Sequence, residues 1–287
     1  MADVVVVGSA NRDVSVETEA FPGPGETVLG TAVRTSMGGK GANQAAAAAL
    51  AGADTAMLAR IGDDDAGREV LAALGRVGVD TALVQAVAGT PTGTAAITVA
   101  GGENSIVVVP GANHAWPDAW PDGTDRRALL TAGVVLAQLE IPVAVANAAA
   151  DLTERFVLNA SPATPLPDEL LARCSVLVVN EHELAALGEP ADLLRRGVGA
   201  VVTTLGGEGA VVTDASGIAT VPSPPAEVVD TTGAGDAFAG VLCAKLAAGL
   251  PLREAVRWAV AAGSWAVRSA GTVGSYADAE RLAALVG

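Results

Sequence analysis

The chain has 287 residues, of which 51% are hydrophobic and only 3% are aromatic. This length suits one α/β domain or two small ones, and it allows a large buried core. Its 32 acidic and 17 basic residues give a net charge of −15, which predicts that no nucleic acid is among its partners. The same charge requires local hydrogen-bond donors for any phosphorylated ligand, because the overall field repels anions.

The two cysteines, Cys174 and Cys243, both lie in apolar surroundings. This pattern predicts buried free thiols in a reducing compartment rather than a disulfide. Asp3 follows the start of the chain directly, and no secretory signal is recognisable. The longest apolar helical stretches carry charged residues, so no membrane span is predicted. We therefore expect a soluble, cytoplasmic protein.

Strands and helices alternate along most of the chain. Helices are predicted at 41–50 and 66–77, and strands at 4–8, 55–61, 134–139, 156–159, 176–180 and 200–205. Continuous apolar strands of this kind are typical of a sheet that is buried on both faces. The alternation predicts an α/β fold with a mostly parallel central sheet and helices on both of its faces.

Three segments alternate polar and apolar residues instead, at 27–36, 94–98 and 105–109. They predict antiparallel strands, and the last two form a predicted hairpin. We infer a small β-sheet that projects from the main body as a lid, formed by segments of about 12–36 and 92–110. The chain as a whole, 1–287, is then one domain that carries this lid.

Asn11 and Asp13 follow the first predicted strand. Open α/β sheets bind their ligands at the carboxyl ends of the strands, and Asn with Asp suits the two hydroxyl groups of a vicinal diol. An Asx turn is an equally good explanation of these two residues.

The run Gly38-Gly39-Lys40-Gly41-Ala42-Asn43 precedes a helix of small residues. Consecutive glycines allow a ligand to approach the backbone closely, and Lys40 and Asn43 supply donors. A structural glycine turn is the competing explanation. Because Gly41 follows the lysine, this run is not a Walker A loop, and no Rossmann fingerprint is present either.

Polar residues end three later strands. Glu140 either contacts a polar ligand or caps the following helix. Asn180 and Glu183 have the spacing to order Mg²⁺ near phosphates, and the same spacing is typical of a capping box. The turn from Thr204 through Gly206 to Gly209 would hold part of a nucleotide or would simply form a hairpin.

The segment Asp230-Thr231-Thr232-Gly233-Ala234-Gly235-Asp236 precedes an Ala-rich helix. Small residues at a helix start leave amide groups uncovered, which creates an anion site. A carboxylate beside such a site indicates phosphoryl transfer to a hydroxyl group, with Asp236 as general base. The alternative is that Asp236 only caps the helix.

Together these motifs resemble the ribokinase family of PfkB-type carbohydrate kinases. The resemblance covers nearly the whole chain in order: Gly-Ser-Ala-Asn11-Arg-Asp13, Pro-Gly-Glu-Thr27, Gly-Gly-Lys40-Gly-Ala-Asn43, Ile-Gly-Asp-Asp-Asp-Ala-Gly67, Gly-Ala-Asn113, Gln-Leu-Glu140, Asn180-x-x-Glu183, Thr-Leu-Gly206 and Asp230-Thr-Thr-Gly-Ala-Gly-Asp236. It implies a ribokinase-like α/β fold with a lid, and ATP-dependent phosphorylation of the 5-hydroxyl of D-ribose. It also implies Mg²⁺ with the nucleotide, activation by K⁺, and a homodimer formed through the lid.

The resemblance also implies roles for individual residues. The sugar would be held by Asn11, Asp13, Gly39, Lys40, Asn43 and Glu140. The amides of Gly233, Ala234 and Gly235 would form the anion hole. ATP and Mg²⁺ would be held by Asn180, Glu183, Thr204, Gly206 and Gly209. The cation site would comprise Asp230, Thr232, Val267, Ala270, Gly271 and Ser275.

Rival functions use the same motifs. A kinase for deoxyribose or fructose differs by few contacts, and a nucleoside kinase would need an apolar or aromatic base pocket. The predicted lid strands offer mainly Val, Ile and Thr for such a pocket. A non-catalytic sugar sensor would have no need of Asp236 and the anion hole.

Overall fold

Seven parallel strands form the centre of the larger sheet, and two antiparallel strands extend one of its edges. The computed structural model describes residues 2–287. The strands of this sheet are β1 (Val4–Val7), β4 (Thr55–Gly62), β5 (Val84–Val87), β8 (Val134–Gln138), β9 (Phe156–Asn159), β10 (Cys174–Asn180), β11 (Ala200–Thr204), β12 (Ala210–Asp214) and β13 (Gly217–Val221). Their spatial order is β13-β12-β11-β10-β9-β8-β1-β4-β5, with β11–β12 and β12–β13 antiparallel.

Helices cover both faces of this sheet. One face carries α1 (Lys40–Leu50), α2 (Asp65–Arg76), α8 (Ala234–Ala247), α9 (Leu252–Ala266) and α10 (Ala279–Val286). The other carries α3 (Gly123–Thr131), α4 (Val143–Ala150), α5 (Asp168–Arg173), α6 (Glu181–Leu187) and α7 (Pro190–Arg195). In β1, Val4 and Val6 join the first apolar cluster, whereas Val5 and Val7 join the second. Burial on both faces explains the continuous apolar run, and the predicted α/β fold is confirmed.

A second sheet of four strands lies outside the larger one. Its strands are β2 (Asn11–Thr18), β3 (Gly30–Gly38), β6 (Gly93–Ala100) and β7 (Glu103–Val109), in the order β3-β2-β6-β7. The predicted hairpin is present as the antiparallel pair β6–β7, and β2–β3 is antiparallel as well. The central pair, β2–β6, is parallel. We call this four-stranded sheet the lid sheet.

Two details of the lid sheet differ from the sequence analysis. The strand predicted at 27–36 is displaced to Gly30–Gly38, because its ladder with β2 extends to the pair Asn11↔Gly38. Asn11 and Asp13 are not in a loop after β1 but are among the first residues of β2. The lid sheet therefore grows directly from the carboxyl end of β1, with only residues 8–10 between the two strands.

The topology brings several predicted motifs to one edge of the larger sheet. β1 lies between β4 and β8. After β1, the next strand of this sheet, β4, is added on one side of β1, and β8 is later added on the other side. Ligands of open α/β sheets bind at such a switch point, outside the carboxyl ends of the strands. Within residues 2–287, no helix is both long enough and apolar enough to cross a membrane.

Candidate active site

Asp236 lies in the first turn of α8 and is 7% exposed. Its carboxylate oxygens accept hydrogen bonds from two side chains of α1: Asn43 Nδ2 donates at 3.0 Å and Gln44 Nε2 donates at 2.9 Å. The close approach of the two helices depends on Gly240, because a Cβ there would lie 2.3 Å from the Gln44 carbonyl oxygen. The alternative role as a helix cap is not observed, since the N-cap is Gly233 and no side chain caps α8.

Burial raises the pKa of Asp236, although the charge of Lys40 and the two amide hydrogen bonds oppose this rise. Burial also raises the pKa of Asp13 to about 6, with further contributions from the charges of Glu140 and Asp236. Three carboxyl groups therefore influence one another across a single small region. Carboxyl groups with raised pKa values in such a cluster are suited to accept protons near neutral pH.

The start of α8 presents uncovered amide groups. Gly233 has φ +77°, in the left-handed region, and precedes the first helical residue. The amides of Gly233, Gly235 and Asp236 donate to no acceptor within residues 2–287, whereas Ala234 N donates to Thr231 O at 3.3 Å. Gly235 is exposed, and no heavy atom lies within 4 Å of a Cβ built there. Unpaired amides at the positive end of a helix form an anion site.

The side chain of Asn11 is held by a relay of hydrogen bonds. Asn113 Nδ2 donates to Asn11 Oδ1 at 2.6 Å, and Ala10 N donates to Asn113 Oδ1 at 2.8 Å. Both asparagines are buried. Asn11 Nδ2 makes no hydrogen bond in the part of the chain that the structure describes, so it remains available as a donor to a ligand.

Asp13 and Asn43 each contribute a buried oxygen atom that no donor satisfies. Asp13 Oδ1 and Asn43 Oδ1 accept no hydrogen bond from residues 2–287. The Asp13 carboxyl packs directly on Gly38, where a Cβ would lie 2.0 Å from Oδ2. The Asx turn considered for Asp13 is not observed. Buried acceptors without donors are uncommon in folded proteins, and here they indicate a ligand that carries hydroxyl groups.

Lys40 is the first residue of α1, and Gly39 before it has φ +85°. A Cβ at Gly39 would lie 2.9 Å from a backbone nitrogen of β2, so only glycine permits this approach. Glu140 Oε2 accepts hydrogen bonds from Lys40 N at 2.9 Å and from Ser9 Oγ at 2.5 Å. The cap of the following helix that was considered for Glu140 is not observed, because α4 has Pro142 as its N-cap and no side-chain cap. Glu140 instead joins the carboxyl ends of β1 and β8 to α1.

The residues predicted to serve a nucleotide lie at the ends of β10 and β11. Asn180 and Thr204 are register partners in this parallel pair. Asn180 Oδ1 accepts from Glu183 N, and Glu183 Oε2 accepts from Asn180 N, both at 2.8 Å. These two bonds form the capping box that the spacing also predicted. Gly206 and Gly209, with φ +54° and +103°, lie in the turn between β11 and β12, so the alternative of a hairpin is observed as well.

Two loops near the start of α8 contain the residues predicted to bind a cation: Asp230, Thr232, Val267, Ala270, Gly271 and Ser275. The Asp230 carboxylate joins the loops, accepting from Thr232 N and from Gly271 N, both at 2.9 Å. Burial alone would raise the pKa of Asp230, but these hydrogen bonds outweigh it and hold the pKa below its usual value. Val267 O accepts from Asp230 N at 3.2 Å, and Ser275 Oγ donates to Gly271 O at 3.2 Å.

The chemistry of these loops fits a monovalent cation. The carbonyl oxygens of Thr232 and Ala270 accept no backbone hydrogen bond within residues 2–287. Residues 2–287 include no cluster of three or more His, Cys, Asp or Glu side chains that could bind a metal ion. Carbonyl oxygens are ligands that K⁺ prefers, and these loops present carbonyl and hydroxyl oxygens.

The profile of the pfkB family of carbohydrate kinases matches residues 1–279. A ribokinase of Bacillus subtilis (strain 168) is 37% identical over 281 residues, which cover 96% of each chain. The chain belongs to the pfkB family. The resemblance inferred from the ordered motifs is thereby confirmed.

Solved and curated pfkB proteins extend this comparison. The structure of Arabidopsis thaliana ribokinase complexed with ribose and ATP has a TM-score of 0.94 and 35% identity, covering 99% of this chain and 98% of that one. A deoxyribokinase of Salmonella typhi is 32% identical over 300 residues, covering 98% of this chain and 97% of its own length. The shared architecture confirms the predicted mostly parallel sheet with a separate small sheet.

The pfkB site includes side chains to which the sequence analysis assigned no role. Gln44 holds Asp236 and also donates to Asn159 Oδ1 at 3.0 Å, and Asn113 holds Asn11. Asn113 ends the motif Gly-Ala-Asn113, and Gln44 directly follows the motif that ends at Asn43 and is a conspicuous polar residue at the start of an Ala-rich helix. Tyr276, the only tyrosine of the chain, donates to Gly233 O at 3.1 Å. Tyr276 belongs to none of the sequence motifs, and only its hydrogen bond to Gly233 in the folded structure indicates a role.

Proposed function

We propose that this pfkB kinase transfers the terminal phosphoryl group of ATP to the 5-hydroxyl of D-ribose, with Asp236 as the general base. One observation carries this proposal: a buried carboxylate is fixed by two amide side chains beside unpaired amides at the start of α8. The relatives support the choice of substrates, because several are ribokinases and one was solved with ribose and ATP.

The chemistry follows from the positions of these groups. Asp236 accepts the proton of the sugar hydroxyl as its oxygen attacks the terminal phosphorus, and the bond from that phosphorus to the bridging oxygen of ADP breaks. The amides of Gly233, Ala234 and Gly235 donate to the phosphoryl oxygens, where negative charge develops. Ala234 would first exchange its long bond to Thr231 O for a bond to the ligand.

The sugar is assigned to the groups at the base of the lid sheet. Asp13 Oδ1 and Asn43 Oδ1 accept from sugar hydroxyls, which satisfies the two unpaired buried oxygens. Asn11 Nδ2 donates to a sugar oxygen, and Gly39 allows the start of α1 to approach β2 closely, which places Lys40 and Asn43 beside the sugar. The side chain of Lys40 and the second oxygen of Glu140 complete the polar contacts.

The nucleotide is assigned to the turns after β10 and β11, through Asn180, Glu183, Thr204, Gly206 and Gly209. The capping box uses Asn180 Oδ1 and Glu183 Oε2, so Asn180 Nδ2 and Glu183 Oε1 remain for a ligand. Mg²⁺ would neutralise phosphate charge there, and a single carboxylate with ordered waters is its usual protein environment.

Three further features belong to the same proposal. K⁺ would be held by the loops that contain Asp230 and Ser275, and it would stabilise the loop that leads into α8. The exposed apolar strand β7 supports a homodimer formed through the lid sheet. Cys174 and Cys243 are both free and buried, which is consistent with a reducing, cytoplasmic location.

Deoxyribose is the second candidate substrate, because a deoxyribokinase is among the relatives. The paired groups of Asn11 and Asp13 favour a sugar with a 2,3-diol, and 2-deoxyribose has no hydroxyl group at C2. Fructose and nucleosides are the remaining alternatives.

A coupled assay of ADP release tests this function, with ribose, 2-deoxyribose, fructose and adenosine as substrates, each with and without K⁺. We expect the highest kcat/KM with ribose, stimulation by K⁺, and a phosphomonoester at C5 in the phosphorus NMR spectrum of the product. A preference for adenosine, or ADP release that no sugar stimulates, would overturn the proposal. Asp236→Asn serves as the control for contaminating kinases.

A further inference from the structure

Tyr276 connects the candidate cation loops to the anion site. It is 7% exposed and directly follows the short 3₁₀ turn Val273–Ser275. Its hydroxyl group donates to Gly233 O at 3.1 Å. Within the same turn, Ser275 Oγ donates to Thr272 O at 2.7 Å. One short segment therefore contacts both the cation loops and the residue that precedes α8.

The Tyr276 hydroxyl is one of two donors that hold the carbonyl group of Gly233. Gly233 O accepts from Tyr276 and also from Ala237 N, at 2.9 Å. A Cβ at Gly233 would lie 2.7 Å from the Tyr276 hydroxyl oxygen and 3.0 Å from Thr272 Cγ2, so the glycine is enclosed on that side. The peptide between Gly233 and Ala234 is thus held at its carbonyl oxygen by two donors, the Tyr276 hydroxyl and Ala237 N, and by packing against Gly233.

The orientation of this peptide matters for an anion. In a trans peptide the C=O and N–H groups point in opposite directions. While Gly233 O is directed at the Tyr276 hydroxyl, the negative end of this peptide group points away from a bound phosphoryl group. A left-handed glycine rotates easily, and rotation of this peptide would turn a carbonyl oxygen toward the anion. The hydroxyl bond opposes that rotation.

We propose that Tyr276 is a positioning residue for phosphoryl transfer, which holds the peptide between Gly233 and Ala234 with its carbonyl oxygen directed away from the bound phosphoryl group. This inference rests on the proposed function. The phenol must stay protonated to donate this bond. Burial and the nearby charge of Asp236 both raise its pKa, which favours the protonated, donating form.

Tyr276→Phe removes only the hydroxyl group and retains the packing of the ring. Ser264→Ala is the matched control, because Ser264 is also buried and its hydroxyl donates to Pro224 O at 2.9 Å, outside the site. Thermal unfolding of both variants gives the purely structural cost of losing one such bond.

The decisive measurements are kcat, KM for ribose, and the affinity for ADP with aluminium fluoride in the presence of ribose, determined by calorimetry. We expect Tyr276→Phe to lower kcat and this affinity roughly five- to fifty-fold. KM for ribose and the affinity for ADP alone should stay within about twofold. The Ser264→Ala variant should match the wild type in all four quantities.

A Tyr276→Phe variant with unchanged kcat and unchanged affinity for ADP with aluminium fluoride would overturn this inference. The inference would also be overturned if both variants lost kcat and affinity equally, in proportion to the fall in their melting temperatures. Absence of sugar phosphorylation by the wild type would be a failure of the proposed function instead, and the binding measurement would still decide the role of Tyr276.

Discussion

Asp236 has the properties of a general base: burial, a raised pKa and a fixed orientation. We predict that Asp236→Asn lowers kcat by roughly 10²–10⁴-fold with little change in ribose affinity, because the shape is retained while the proton acceptor is lost. Steady-state kinetics measures the first effect, and calorimetry with ribose measures the second. Turnover within a few-fold of the wild type would refute the assignment of the base.

Asp13 has a pKa of about 6 in the folded protein, against 3.8 for an unperturbed carboxyl. The folded state therefore binds this proton more tightly than the unfolded state does, and the free energy of unfolding falls as the pH rises from about 4 to about 6. We predict that Asp13→Asn raises the free energy of unfolding at neutral pH by up to about 3 kcal/mol, with no gain below about pH 4.

The same variant should bind ribose more weakly, because an amide replaces one of the acceptor oxygens. The expected result is thus a more stable enzyme with a raised KM, and urea unfolding at two pH values together with kinetics would show both. Asp118→Asn, at an exposed position, is the control and should change neither quantity. An unchanged KM in Asp13→Asn would contradict the assignment of Asp13 to the sugar.

At the scale of elements, the contact between α1 and α8 creates the environment of Asp236. Gly240 is the point of closest approach, where a Cβ would lie 2.7 Å from Ala47 Cβ as well as close to the α1 backbone. We predict that Gly240→Ala lowers the free energy of unfolding by about 1–3 kcal/mol, because the helices must separate. It should also lower kcat, because Asn43 and Gln44 move away from Asp236.

Gly75→Ala on α2 is the matched control for this prediction, since no heavy atom lies within 4 Å of a Cβ there. It should stabilise the protein by about 0.5–1 kcal/mol and leave kcat unchanged. Urea unfolding and steady-state kinetics apply to both variants. If Gly240→Ala had the same urea midpoint of unfolding as the wild type, the close contact between α1 and α8 would not be what positions the Asn43 and Gln44 side chains.

Local patterns were sufficient to predict most elements of the larger sheet. The apolar runs of β1, β4 and β9 and the small-residue helix α1 appear within one or two residues of the predicted bounds. Each depends on short-range periodicity, which the sequence displays directly. The parallel pairing of β2 with β6 joins segments about eighty residues apart, and no local pattern encodes it. For the same reason the roles of Gln44, Asn113 and Tyr276 required the folded structure.

At the scale of the whole molecule, the site is built where two sheets and two helix starts meet. Strand ends identified Asn11 and Glu140 as candidates, because the carboxyl ends of parallel strands converge. Their partners could not be inferred in the same way. Glu140 contacts the start of α1, which lies a hundred residues earlier, and not the helix that follows it. Burial raises the pKa values of Asp13 and Asp236, which is a property of the assembled site only.

The lid sheet leaves an apolar edge exposed. In β7, at the end of the strand order, Ile106, Val107, Val108 and Val109 are all between 47% and 63% exposed. Successive residues of a strand point to opposite faces, so both faces of this strand are open. An exposed apolar edge strand is a surface for pairing with another chain, and we predict a homodimer that buries it.

The substitution Val107→Lys should shift the mass in solution from dimer to monomer, because a charge on this edge opposes burial and strand pairing. Ile218→Lys is the matched control, since Ile218 is 74% exposed on β13, the edge strand of the larger sheet, and this change should leave the dimer intact. Analytical ultracentrifugation over a range of salt concentrations measures both variants. Each subunit carries a net charge of −15, so screening by salt should strengthen the wild-type dimer. A wild-type protein that sediments as a monomer at high salt and high concentration would show that this edge pairs with no second copy.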